Sequence, residues 1–442
     1  VDNTLAYIDQ GSFLALRALG RGPLIQFTWV YEHQIDIDGL RRLHVNLAFG
    51  LLGRLIERSA LPFGRDRWVA DVGPAALEVA ARDRPRDEVW TWADERVALP
   101  LDPQHGPAWR LGVQPLIGGG GAASLVVSHS VGDAKAIIDA VVEAVNGVDR
   151  NLGYPAPGYR TRRQAMREDG RRAMRDLPET AKAVVSAVRV ARAESQGLST
   201  SVKSGGKKRS RGDANEFVVP NATVFFDVEQ WDERARSLGG SSNSLFLGLA
   251  ARLGLILGRV DDDGLVLASL PVSERVAGDT RANALTATTV TIDPKKVVDD
   301  LTDVRRDLKQ ALTSLADTPN ELLGPLALAP WTPAFLVRRL EGMVQQVGGP
   351  IGCSNLGELP PEMNRPDGSE ADYLAIRMME PQLTTKVLER MGGVLFVGSG
   401  RINGRIFVTT AGWVVDGTNT TEAFRDSFRQ ALADMKLSGT VE

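Results

Sequence analysis

Apolar positions along the chain switch repeatedly between an extended and a helical period. Residues 24–32, "LIQFTWVYE", crowd β-branched and aromatic side chains together and predict a strand. Residues 37–59 carry Leu40, Leu43, Leu47, Leu51, Leu52, Leu55 and Ile56 at helical spacing and predict one helix, with Asp38 as its N-cap and Asp36 an acidic neighbour of its start. "RWVADV", "EVWTWADERV" and "AWRLGVQPLI" predict short strands or extended segments, and "GGGG" (118–121) a turn ahead of the strand "AASLVVS". His33 falls in a strand, His44 in a helix and His105 in a loop with prolines nearby. A second series starts near residue 215. It predicts strands at 221–231, 264–276, 283–293 and 349–359, helices at 241–257 and 303–315, a hairpin turning on Asn403-Gly404, and a closing amphipathic helix at 421–435. Each half alternates strands and helices. The expected class is α/β in two lobes, 1–158 and 215–442, joined by a segment at 159–214, with the cleft between the lobes as the default ligand site.

The joining segment changes the picture of charge. The whole chain has 442 residues and a formal net charge of −3, so no nucleic-acid partner is expected. Yet residues 160–211 hold fifteen Arg and Lys against five Asp and Glu, about +10 locally. Residues 179–193 have a helical period there, and 199–213, "STSVKSGGKKRSRGD", read as a flexible loop. A solvated linker is the ordinary fate of such a charge run. A basic helix touching an anionic membrane surface is the other reading. The single cysteine, Cys353, excludes an intramolecular disulfide. No run of eighteen apolar residues and no signal-peptide pattern is visible, so a cytoplasmic protein is expected, with membrane contact confined to 160–211.

The chemistry concentrates in "SLVVSHSVGDAKAIIDAVV". The strand-like run ends at His129, one of only four histidines, and Asp133 follows just before a helical pattern. An imidazole with an ordinary pKa near roughly 6.5 is mostly neutral at pH 7 and can take a proton. Its ring needs fixing, and a carboxylate four residues later can supply that. The alternative is plain: Asp133 caps the next helix and His129 fills a turn. Cys353 has no histidine near it in sequence and reads as a buried thiol. Gly118–121 lack the Lys-Ser/Thr of a phosphate loop. "GSGRING" has the wrong glycine spacing for a dinucleotide site, and Asp261, Asp262 and Asp263 form a solvated turn. No histidines have metal spacing, so neither a metal nor another cofactor is expected.

"SHSVGDA" resembles the HHxxxDG signature of the condensation-domain and chloramphenicol-acetyltransferase-like superfamily, which includes the bacterial wax ester synthase/diacylglycerol acyltransferases and the mycobacterial polyketide-associated acyltransferases. "PVSERVAGDTRAN" (271–283) resembles the PVSxR…GN block of the wax ester synthase branch, with Arg275 and Asn283 on its Arg and Asn. "CSNLGELP" (353–360) resembles an SN-containing loop of the C-terminal lobe, and the basic segment lies where those enzymes join their lobes. In order, these matches span most of the chain. Three positions depart from the pattern: Ser128 stands at the first His, Ala134 at the Gly after Asp133, and Ala282 at the Gly before Asn283.

The resemblance implies two chloramphenicol-acetyltransferase-like lobes with an active-site tunnel between them and His129 near its middle. It implies an acyltransferase with His129 as general base, a thioester donor (acyl-CoA or an acyl carrier protein) and a hydroxyl of a lipid or glycolipid as acceptor. Asp133 would pair with Arg275 to shape the His129 loop. Asn283, Ser354 and Asn355 are candidate oxyanion or tunnel groups. Amide formation on carrier-bound substrates is the second activity the resemblance allows. The departures from the pattern at Ser128 and Ala134 leave open a non-catalytic lipid-binding member of the fold.

Overall fold

The computed structural model describes residues 2–201, 216–317, 321–344 and 349–442. Two sheets organise it. The first runs in the order Tyr373–Met379, Leu24–Tyr31, Gly121–Ser128, Trp109–Pro115, Glu78–Val79, antiparallel except for its last pair. The second runs Leu285–Ile292, Val266–Ser273, Ile351–Glu358, Val394–Ile402, Arg405–Trp413, Asn221–Asp227. Ile351–Glu358 lies parallel to both its neighbours, and the other pairs are antiparallel.

Strand Leu24–Tyr31 is buried at all eight positions, as expected of a sheet covered on both faces. It lies between Gly121–Ser128 and Tyr373–Met379, with Phe27 opposite Leu125 on one side and Ile376 on the other. Tyr373–Met379 therefore leaves the C-terminal half to complete the N-terminal sheet, and a boundary at residue 215 does not part the two sheets. Leu374, Ile376, Ile402 and Phe407 share one core with Phe27, Trp29, Leu125 and Val127. Thr409 Oγ1 donates to Ile376 O (2.9 Å), tying the crossing strand to the second sheet. The second core gathers helix Ser242–Ile256 and helix Thr421–Asp434 on the second sheet.

Several local expectations need correction. The helix expected over 37–59 is Ile37–Leu47 only, and its N-cap is Asp36, which accepts from Asp38 N, in place of the expected Asp38. Gly50 and Gly53 then turn the chain, and Arg54–Glu57 pairs with Arg67–Ala70 as a strand. The helical spacing of Leu51 to Ile56 comes from burial of a turn and a strand. "EVWTWADERV" is helix Val89–Val97, burying Trp90, Trp92, Ala93 and Val97 on one side. "VEQW" at 228–231 leaves the strand to open helix Val228–Ser237, capped by Asp227, whose carboxylate accepts from Glu229 N and Gln230 N. His33 lies two residues past its strand. A helix not expected at all, Tyr7–Leu19, opens the chain and ends on Gly20 at φ 74°. The joining segment contains one helix, Arg162–Ser201, longer than the stretch expected at 179–193, and residues 202–213 of the expected loop lie outside the described residues. Asn403 and Gly404, at φ 48° and 69°, make the tight hairpin the dipeptide predicts. Among the described residues no helix is long and apolar enough to cross a membrane.

Candidate active site

Strand Gly121–Ser128 delivers His129 to the interface of the two sheets. Hydrogen bonds hold the His129 backbone on two sides: its N–H donates to Pro23 O (3.1 Å), and its carbonyl accepts from Asn283 Nδ2 (3.2 Å). The chain then turns, with Val131 N donating to Ser128 O (3.0 Å), and reaches Asp133. Asp133 caps helix Ala134–Val145 by accepting from Ala136 N (2.7 Å). The capping reading of Asp133 is correct, and it is only part of what this carboxylate does.

Its second oxygen accepts from Arg275 Nη2 (3.0 Å) and from Ala284 N (2.8 Å), while Asp133 N donates to Ala282 O (2.8 Å). The Arg275 guanidinium also donates to the carbonyls of Arg281 and Ala282, closing its own loop on itself. Both ionic side chains are buried, so the pair is desolvated and hydrogen-bonded on several sides. The loop following strand Val266–Ser273 is thus fastened to the His129 loop. Ala282, where the resembling pattern has Gly, is fully buried in the N-terminal core.

Two residues that the sequence reading passed over complete this joint. Asp9, on helix Tyr7–Leu19, accepts from Ala282 N (3.0 Å), Asn283 N (2.7 Å) and Asn283 Nδ2 (3.2 Å). Burial pushes its carboxyl above the usual carboxylate range, and these N–H groups and the nearby Arg54 act against that push. Arg54, fully buried, donates to Thr280 O and to Val131 O, and lies 3.9 Å from the Trp68 ring centre. A signal for Asp9 did exist: it sits one helical turn before the buried Phe13, a carboxylate on an apolar face. Arg54 carried none, because its strand was read as a helix.

The His129 side chain lines a cleft of about 350 Å³ between the sheets. Ala134, Lys135 and Ile138 line it from the N-terminal side, Ser269, Ser273, Ser354 and Asn355 from the C-terminal sheet, and Ile376 to Met378 from the crossing strand. The imidazole nitrogens have no partner among the described residues, so the ring is open to a ligand. Ser128, by contrast, is 3% exposed, and its Oγ accepts from Ser130 N. Alternation along the strand turns it away from the cleft that His129 faces. Asn283 spends both amide hydrogens on Asp9 and His129 O, which leaves none for an oxyanion. Asn355 Nδ2 donates to Asn243 Oδ1 (2.6 Å). Ser354 lines the cleft with a hydroxyl that makes no hydrogen bond to the described residues.

A second cavity of about 190 Å³ lies beside the first and shares Met378 and Phe396 with it. Its other walls are mostly apolar, among them Val97, Ala98, Val219, Met379 and Leu383, and Asp94 and Glu380 line it as well. Cys353 lies in the second core, and burial pushes its thiol up to about 12, the inert state expected for it. His44 bonds Ala75 O, while His33 and His105 sit at the surface beside Asp372 and Asp102. Among the described residues no His, Cys, Asp and Glu cluster is placed to hold a metal.

The overall fold is similar to that of solved structures. The chain has the two-lobed condensation-domain fold. It is similar to the first condensation domain of the CDA synthetase, with a TM-score of 0.58 at 16% identity over 98% of this chain and 96% of that one. It is similar to the wax ester synthase/diacylglycerol acyltransferase from Marinobacter aquaeolei VT8, with a TM-score of 0.57 at 13% identity over 98% of both chains. Polyketide synthase associated protein 5 from Mycobacterium tuberculosis matches with a TM-score of 0.54 at 14% identity, again over 98% of both. No protein-family model and no curated protein matches the chain.

Proposed function

We propose that this chain is an acyltransferase that moves an acyl group from a thioester donor, acyl-CoA or an acyl carrier protein, to a hydroxyl of a lipid or glycolipid acceptor. The observation that carries the reading is the contrast within His129: a backbone pinned by Pro23 and Asn283, and a ring left open in the inter-lobe cleft. A general base needs both, a fixed position and a free nitrogen.

His129 takes the proton from the acceptor hydroxyl as its oxygen attacks the thioester carbonyl carbon. The tetrahedral intermediate carries its negative charge on the former carbonyl oxygen, for which Ser354 Oγ, in the lining of the cleft, is our candidate donor. The C–S bond then breaks, and the imidazolium returns its proton to the departing thiolate. The products are an ester and a free thiol, with no acyl-enzyme. Asp133, Arg275, Asn283 and Asp9 do not touch the substrate in this scheme. They hold the loop that carries the base.

The test is thiol release from a series of acyl-CoAs and from an acylated carrier protein, with lipid alcohols as acceptors and ester product identified by mass. The expected result is turnover that His129→Ala lowers by about 10²–10⁴-fold. Equal rates for the two proteins overturn the role of His129. Amide formation when amines replace alcohols selects the condensation activity, and stoichiometric lipid binding without thiol release selects a binding protein.

A further inference from the structure

Helix Arg162–Ser201 packs against the N-terminal lobe and against segment Glu321–Trp331. Asp169, 2% exposed, accepts from Arg67, Arg160 and Ser59 Oγ and from Ala60 N, and Ala165 and Ala183 are buried with it. A different side of the same helix presents large apolar groups to solvent: Met166, Met174 (70% exposed), Leu177, Val184 and Val185 (54% exposed). Met166 and Val184 are about five turns apart and therefore lie on one line, with Met174, Leu177 and Val185 within a third of a turn of it.

Charge follows this stripe. Arg167, Arg171, Arg175 and Lys182 are exposed and run along one border of it, and Arg162 and Arg163 stand at its start. None of these six cations has an ion-pair partner among the described residues, unlike Arg160 and Arg172, which are paired. A solvated linker helix has no reason to expose thioether and aliphatic groups in a row. A protein-facing helix would not leave a row of cations unpaired beside them. An anionic lipid surface suits both features: apolar side chains enter the acyl boundary, and guanidinium groups sit at the phosphates.

We propose that this side of the helix docks the protein on anionic phospholipid bilayers. Because the buried side is already fixed to the lobe, binding does not have to order the segment. The surface is separate from the cleft at His129, and the inference does not depend on the reaction proposed there.

The test is co-sedimentation of the full chain with vesicles of phosphatidylcholine alone and with vesicles containing phosphatidylglycerol. Binding is expected only to the second kind, weakening steeply as salt rises. Reversing Arg167, Arg171 and Arg175 to Glu is expected to weaken it by about a hundredfold or more. Leu177→Gln with Val184→Gln is expected to abolish it with an unchanged melting curve, and a second triple variant, Arg167, Arg171 and Arg175 to Gln, guards against misfolding of the first. Absence of binding at low salt overturns the proposal. So does binding that neither set of variants changes, or a stripe that proves to join two copies of the chain, seen as a dimer that Leu177→Gln with Val184→Gln splits.

Discussion

Asp133 and Arg275, 142 residues apart in sequence, meet at 3.0 Å with both side chains buried, and this contact fastens the loop of one sheet to the histidine loop of the other. Removing one partner leaves the other charge buried without compensation. Arg275→Met and Asp133→Asn are each expected to lower stability by about 3–5 kcal/mol, while the double variant recovers part of that loss. Denaturant melts of the three proteins measure the coupling. Simple addition of the two single effects would show that the pair does not act as one unit.

Asn283 acts on the base through the backbone, so its removal has a different signature. Asn283→Ala frees the His129 carbonyl and leaves Asp9 with two donors in place of three. The expected outcome is a stability loss of about 1–3 kcal/mol, together with a fall in kcat at nearly constant KM. A raised KM at constant kcat would place Asn283 in substrate binding instead.

Ser128 and Ala134, the departures from the resembling signature, differ in what they face. Ser128→His forces an imidazole into a site that is 3% exposed and costs about 1–3 kcal/mol by overpacking, with no gain in turnover. Ala134 opens a helix and lines the cleft, so Ala134→Gly costs at most about 1 kcal/mol and leaves turnover in place. A rate gain from Ser128→His, measured by thiol release, would mean that the signature's first position reaches the reacting groups in this protein.

Legibility in the sequence followed the kind of interaction. His129, Asp133, Arg275 and Asn283 were legible because a motif ties each to a position, and they do meet in space. The crossing strand was not, because "YLAIRMM" reads as any buried strand and nothing local says which sheet receives it. Arg54 was hidden by period: Leu51, Leu52, Leu55 and Ile56 mimic a helix while lying in a turn and a strand. Asn355 looked available as a donor because its partner, Asn243, lies more than a hundred residues away. Hydrogen-bond commitments of that kind exist only after folding.

Cys353 offers a check on the second core. Burial raises its thiol to about 12, so below that pH it stays protonated in the folded state and unreactive, and ionises near its ordinary value only when the chain opens. Folding thus disfavours the thiolate, and this contribution destabilises the fold progressively as pH rises above the unfolded thiol's value. At pH 8 a thiol reagent is expected to label the native protein slowly, with the rate rising in denaturant in step with unfolding. Fast stoichiometric labelling of folded protein would show that the second core opens on its own.

Met378 and Phe396 line both cavities, and for the proposed acyl transfer they are expected to limit how far an acyl chain extends. Phe396 can sit there because Gly352 has no side chain: a Cβ at residue 352 would come within 2.8 Å of the ring. Each methylene that passes into the apolar second cavity gains about 0.8 kcal/mol, close to fourfold in kcat/KM. For the proposed acyl transfer, kcat/KM should therefore climb with donor chain length until the second cavity is full. Met378→Trp narrows the shared wall and should flatten that climb for long donors while sparing short ones. Phe396→Ala widens it and should extend the climb. Measured across a graded series of acyl-CoAs, a length dependence that neither substitution alters would place the acyl chain elsewhere than along this wall.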